Sequence, residues 1–293
     1  MKKIKKYEEL TIKDDFMFGI IMRNPKYCKT FLETVLGVKI SRIEYPETQK
    51  TIDISLSSKS IRLDIYVEDG KNTVYNIEMQ STLYKYIPKR SRYYQDMIDL
   101  NILEKGMDYR ELKKSFVIFV CAFDLFNLGR HIYTFENRCI QQPKLPLGDG
   151  TTKIILNTKG TADDVSEDMK ALLNYIDGQL PSNDYTNELE AAVKLARLNE
   201  NWRCEYMTLE MHYQEKYEQG LAEGDKRGYK RGIESGIEKG LEQGIEKGSL
   251  LKAKQTATAL LSNGKLSCVE IAECSGLSIK QVEELKEMLY RIN

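Results

Sequence analysis

Net charge is missing from this chain: 44 lysines and arginines offset 44 aspartates and glutamates over 293 residues. That balance excludes long-range steering by total charge, so a polyanionic partner has to be gripped by a local basic patch. Histidine is scarce, with only His131 and His212, and the six cysteines (Cys28, Cys121, Cys139, Cys204, Cys268, Cys274) are scattered without a CxxC pair. This argues against a zinc centre and against a disulfide framework. No apolar run approaches the roughly 20 residues of a membrane span. The opening Met-Lys-Lys-Ile-Lys-Lys lacks the apolar stretch of a signal peptide, so the expected setting is a reducing cytoplasm with no membrane partner.

What is present is a polar face on an extended segment. Leu63, Ile65 and Val67 alternate with Arg62, Asp64, Tyr66 and Glu68, and after Asp69-Gly70 the residues Val74, Asn76, Glu78 and Gln80 alternate with Tyr75, Ile77 and Met79. Period-two alternation on either side of Asp-Gly predicts a β-hairpin with a tight turn, one face in the core and the other toward solvent. With an odd-length loop Asp64, Glu78 and Gln80 share a face. Two carboxylates and an amide at one place can hold a hard divalent cation and orient a water, as metal-assisted phosphodiester hydrolysis requires. The competing reading is a solvated hairpin face, since half-exposed strands commonly carry Asp, Glu and Gln.

Taken in order, residues 14–22 read as a short helix after Thr11, and Asn24-Pro25 opens a second helix that Gly37 closes beyond Leu36. Residues 38–46 and Thr51 to Leu56 are expected to be extended, with Ser57 to Ser60 turning into the hairpin. A helix is predicted from the Tyr84 region to about Lys105. No acid falls between Glu78 and Asp96, while Lys85, Lys89, Arg90 and Arg92 interleave with Tyr84, Tyr86, Tyr93 and Tyr94. Cations neutralise phosphates and tyrosines pack on sugars or donate to phosphate oxygens, so Lys89, Arg90, Arg92 and Tyr93 are candidate nucleic-acid contacts. The alternative is a helix face whose tyrosines pack on the sheet. Residues 115–122, an unbroken apolar run, predict a strand buried on both faces, enlarged by Ile132 to Phe135 and Thr152 to Asn157. From Val165 the pattern is helical.

This order, with an acid on one hairpin strand and Glu-x-Gln on the next, resembles the PD-(D/E)XK nuclease superfamily, and within it the recombination-promoting nuclease family of putative transposases. The matching residues are Asp15 to Phe18, Arg62-Leu-Asp64, Asn76 to Gln80, Arg92-Tyr-Tyr94 and Phe123-Asp124, within residues 11 to about 180. The resemblance implies an α/β core of αβββαβ order and a Mg²⁺-dependent DNA endonuclease acting on double-stranded DNA. It further implies Asp64, Glu78 and the Met79 carbonyl as metal ligands, and Gln80 as the residue that positions the attacking water. Gln80 stands where the superfamily usually has Lys, and Leu63 where its name has Pro. An amide is neither a general base at neutral pH nor a cation, which places water activation on the metal. Glu33 and Asp15 are both open as an additional acid from the preceding helices.

The clearest repeat is a glycine at every fourth position from Gly220 to Gly248, followed in several repeats by Leu221, Tyr229, Ile233, Ile237, Leu241 or Ile245. Each glycine costs a helix roughly 1 kcal/mol relative to Ala, so the ladder needs a packing reason. Four residues advance about 400°, so the stripe drifts by about 40° per repeat and favours a right-handed helix crossing over a long left-handed coiled coil. The intervening charges exclude a membrane span. Homo-oligomer formation, as in a homodimer, through residues 218–249 is expected, with a flexible linker as the alternative. Residues 250–293 read as a small helix-turn-helix-like unit around Ala272, Gly276 and Val282. Its second helix is glutamate-rich and better suited to protein interaction than to phosphate. The expected organisation is therefore a nuclease-like core (1–160), a helical extension (161–217), the glycine-repeat helix (218–249) and a small helical domain (250–293). Three function classes follow: an endonuclease, a catalytically silent DNA-binding regulator, or an oligomeric scaffold.

Overall fold

The computed structural model describes residues 5–45, 51–52, 61–62, 64–83 and 86–292. In chain order the elements are α1 (Asp15–Met22), α2 (Pro25–Leu36), β1 (Ile43–Glu44), β2 (Thr51–Ile52), β3 (Ile61–Arg62), β4 (Ile65–Asp69), β5 (Val74–Gln80) and α3 (Ile87–Ile102). They continue with β6 (Ser115–Cys121), β7 (Ile132–Phe135), β8 (Thr151–Asn157), α4 (Glu167–Ile176), α5 (Asp184–Arg197), α6 (Glu200–Asn263), α7 (Cys268–Ser275) and α8 (Ile279–Ile292). Six strands form one mixed sheet in the order β1-β4-β5-β6-β8-β7, while β2 and β3 pair separately. β4 runs antiparallel to both its neighbours, β1 and β5, and β5, β6 and β8 run parallel. The run α2, β1, β4, β5, α3, β6 thus has the expected αβββαβ order.

Local signals explain the helices that flank the sheet. Asn24 caps α2 by accepting from the Lys26 N–H at 3.0 Å, Pro25 fills its first position, and Gly37 ends it at φ 65°. The extended stretch expected over 38–46 shrinks to Ile43–Glu44, and the α3 helix expected to reach Lys105 stops at Ile102. Tyr84, Lys85 and most of the expected 51–60 strand and turn lie outside the described residues.

β6 is central, as its unbroken apolar run predicts, and its alternate side chains feed two cores. Ile118 and Val120 join Ile77 and Met79 beneath α1, α2, α4 and α5. Val117, Phe119 and Cys121 join Tyr66 and Val74 beneath α3, whose Ile87, Tyr94, Met97 and Ile98 pack there. The expectation of a solvent-facing hairpin side is therefore overturned: α3 roofs it, and Asn76 and Glu78 are buried. A two-strand pattern cannot reveal a helix laid over its polar side.

The hairpin turn has the odd length that the shared face of Asp64 and Glu78 requires. The Asp69 N–H donates to the Thr73 carbonyl, so the loop is Gly70-Lys71-Asn72, and the left-handed position is Asn72 at φ 58°. Asp69 Oδ1 accepts from the Lys71 and Thr73 N–H groups and organises the turn from its side chain. Gly70 is tight against a neighbour: a Cβ there would meet Ser41 Oγ at 2.8 Å, and that hydroxyl would have to turn away.

The chain divides into two compact units, Met1–Glu210 and Met211–Asn293. The second has its own core of Ala257, Ile271, Ala272, Leu277 and Val282, with Gly276 at φ 75° ending α7 and a Ser267–Glu270 capping box starting it. Glycines 220 to 248 all lie within α6. No described helix is long and apolar enough to cross a membrane.

Candidate active site

The three-residue loop sets the register Ile65 opposite Ile77, which places Asp64 directly across from Glu78 on one face. The two are tied through the backbone: the Asp64 N–H donates to Glu78 Oε1 at 3.2 Å, and the Met79 N–H donates to Asp64 Oδ2 at 3.2 Å. Glu78 is 1% exposed under α3, whereas Asp64 is half-buried at the strand end.

Gln80, on the same face, is clamped at both ends of its amide. Its Nε2 donates to the Met79 carbonyl at 2.9 Å, and its Oε1 accepts from Arg90 Nη1 at 2.8 Å. Arg90 comes from the first turn of α3. Its Nη2 donates to the Tyr94 hydroxyl at 2.7 Å and lies 3.7 Å from Glu78 Oε2. The guanidinium stacks over the rings of Tyr94 and Phe119, at 5.2 and 5.6 Å from their centroids. Of the basic-patch residues, Arg90 thus turns inward to the carboxylates. Lys89 and Arg92 remain exposed and Tyr93 packs half-buried against the α3 core. Spacing alone could not single out Arg90; the missed signal was its i,i+4 relation to Tyr94, which aims both at the sheet once Ile87 and Ile98 are taken as the buried stripe.

Burial pushes the Glu78 carboxyl well above the usual range, and the Asp64 charge adds to this, against the Asp64 N–H and the Arg90 guanidinium. A raised folded-state pKa means that ionising Glu78 opposes folding. Its contribution is fully present below the unfolded pKa near 4.5 and is lost as pH rises through the folded value. Metal-free Glu78→Gln protein is therefore expected to hold its melting temperature across that rise, where the parent falls. Melting curves from pH 4 upward in EDTA check this, and parallel declines in the two proteins would refute it.

The donor set suits a hard cation. No three His, Cys, Asp or Glu side chains gather among the described residues, so the oxygens on offer are Asp64, Glu78 and the Met79 carbonyl, which keeps a lone pair beyond its bond to Gln80. Mg²⁺ is typically held by one or two carboxylates with waters completing its shell. Asn76, two positions before Glu78 and 0% exposed, favours the charged form of Glu78. Yet neither of its amide atoms makes a well-formed hydrogen bond with a described residue, which leaves polar groups for bound water. Neither candidate additional acid joins. Glu33 Oε1 accepts from the Ile40 N–H at 2.8 Å with Lys39 3.6 Å from Oε2, and Asp15 Oδ1 accepts from the Phe16 N–H. Both come from helices on the opposite side of the sheet.

A mixed sheet of this order, with an Asp and a Glu facing each other at the end of its central hairpin, is consistent with a PD-(D/E)XK-like nuclease core. Residues 14–141 match the family described as PD-(D/E)XK nuclease family transposase. The resemblance read from the motifs is thereby shown over that segment, and it points to nuclease or transposase activity. No curated protein and no solved structure matches the chain.

Proposed function

We propose that the chain is a Mg²⁺-dependent endonuclease of double-stranded DNA, in the setting of recombination, mobile elements or phage defence. The observation that carries this reading is the direct cross-strand pairing of Asp64 with Glu78 inside the segment that matches the nuclease family. Asp64 and Glu78 hold the cation, with the Met79 carbonyl as a third oxygen. When bound, it supplies Lewis acidity and lowers the pKa of water. Gln80 cannot take a proton at neutral pH, and the Arg90 bond fixes which way its amide is turned. It orients the nucleophile or a phosphate oxygen by donating from the second Nε2–H. Lys89, Arg92 and Tyr93 at the start of α3 contact the DNA backbone, supplying the local cationic grip that a chain without net charge requires. Supercoiled plasmid incubated with the full chain is expected to be nicked or linearised in Mg²⁺ or Mn²⁺ and left intact in EDTA. DNA binding without cleavage in any divalent cation would favour the silent regulator instead.

Self-association through residues 218–249 belongs to the same reading. Leu221, Tyr229, Ile233, Ile237, Leu241 and Ile245 are all exposed on α6, and a Cβ added at any glycine from Gly220 to Gly248 would meet nothing within 4 Å. Among the described residues of one chain nothing packs against the glycines. A second copy supplies one, because the aliphatic stripe beside the glycines gains a partner and Glu234, Glu238, Glu242 and Glu246 find Lys239 and Lys247 across the contact. Replacing Gly228, Gly232, Gly236 and Gly240 by Leu raises helix propensity by about 0.5 to 1 kcal/mol per site while blocking close approach. Light scattering is expected to show a dimer collapsing to monomer with helical circular dichroism retained. A parent that is monomeric across a wide concentration range would end the idea.

A further inference from the structure

The only cation within ion-pairing distance of Glu78 among the described residues is Arg90, and it reaches the site as part of a fixed assembly. Its two terminal nitrogens are divided between the Gln80 Oε1 at 2.8 Å and the Tyr94 hydroxyl at 2.7 Å, while its plane lies over Tyr94 and Phe119. Tyr94 is in turn stacked on Phe119, with ring centroids 5.9 Å apart, and Phe119 is fully buried in the central strand. The guanidinium is therefore held by the core of the sheet, and the Arg90 side chain is 28% exposed, unlike the freely moving side chain of a surface phosphate contact.

This clamp decides how Gln80 works. A glutamine amide can be turned either way, presenting oxygen or nitrogen. With Oε1 turned to a cation and one Nε2–H donating to Met79, the amide is fixed in one orientation and its second Nε2–H is left as a donor for a ligand, while a cation hydrogen-bonded to the carbonyl end draws electron density from that N–H. We infer that Arg90 is a positioning residue for phosphodiester cleavage: it locks and polarises Gln80 so that the Nε2–H donates to the phosphate oxygen that gains negative charge as the nucleophile attacks. Arg90 and Gln80 together provide one oriented, positively biased donor. The inference rests on the nuclease reading above, and it separates Arg90 from Lys89 and Arg92, whose contacts are to DNA outside the reacting centre.

The test is steady-state cleavage by the full chain with the Arg90→Met, Arg90→Lys and Gln80→Lys/Arg90→Met variants, alongside melting curves and KM for DNA. Arg90→Met is expected to lower kcat by about 100-fold, the range seen when a preorganised transition-state donor is lost, with KM within about twofold of the parent. Arg90→Lys keeps the charge but not the fork that serves Gln80 and Tyr94 together, and is expected to lose at least about tenfold in kcat. In the double variant the new lysine carries donor and charge in one side chain, so kcat is expected to recover at least about tenfold over Arg90→Met. A merely structural role would not be restored by a lysine on the neighbouring strand. Parent-like kcat in Arg90→Lys, a loss confined to KM, or no recovery in a folded double variant would each overturn the inference while leaving the nuclease intact. Should Arg90→Met not fold, the Arg90→Lys result decides. A parent that leaves DNA whole in Mg²⁺ and Mn²⁺ overturns the nuclease reading and this one with it.

Discussion

Asp64→Ala is expected to abolish cleavage, with a loss on the order of 10³-fold or more. The metal's electrostatic stabilisation of a phosphoryl transition state is worth several kcal/mol, and each 1.36 kcal/mol is a factor of about ten in rate. The substitution removes one of two carboxylates from the donor set and also the oxygen that accepts from the Met79 N–H. Fold should survive, because Asp64 is half-buried at a strand end and the Ile65 to Glu68 pairing with β5 does not involve its side chain. It even relieves the buried Glu78 of a repelling charge. Cleavage rates measured beside a melting curve check both halves. A variant that cuts DNA as fast as the parent would remove Asp64 from the mechanism, and a variant that unfolds would show that its backbone acceptor role dominates.

The second large effect is on stability. Phe119→Ala is expected to cost about 3–5 kcal/mol, the usual range for truncating a fully buried aromatic. Phe119 sits in the strand with neighbours on both sides, packs against Tyr94, and forms the floor under the Arg90 guanidinium. Phe116 provides the control. It lies on the opposite side of the same strand, half-buried and stacked on Tyr75 at 5.4 Å, so Phe116→Ala should cost roughly half as much, in proportion to the apolar area it hides. Urea unfolding of the three proteins gives the comparison. Equal losses at the two positions would mean that the α3 layer contributes no more than the partly open packing on the opposite face. Cleavage should fall in Phe119→Ala even under conditions where it remains folded, because the cation that fixes Gln80 has lost its support.

Sequence patterning was sufficient for much of this architecture. The Asn24-Pro25 start and Gly37 stop of α2, the doubly buried β6, and the sharing of one face by Asp64, Glu78 and Gln80 all follow from periods and caps that act over a few residues. Patterning called for a tight turn and an odd-length loop, which residues 70–72 satisfy, but not for which of them is left-handed. The left-handed position at Asn72 goes instead with Asp69 bonding the two backbone N–H groups that flank it. The basic, tyrosine-rich start of α3 was legible as a patch but not as two populations. What sets Lys89 and Arg92 apart from Arg90 is which way the helix turns them: they are exposed, and Arg90 is half-buried.

What the sequence by itself determined is therefore the local part: which segments are helix or strand, which acids share a strand face, and which family that combination resembles. These depend on backbone sterics and side-chain alternation along the chain. Only the tertiary structure decided that the polar side of the hairpin is roofed by α3, that Glu78 is consequently buried with a raised pKa, and that Arg90 closes on Gln80. Those facts depend on a helix that packs across strands distant in the chain, and on desolvation, which exists only once both surfaces have met.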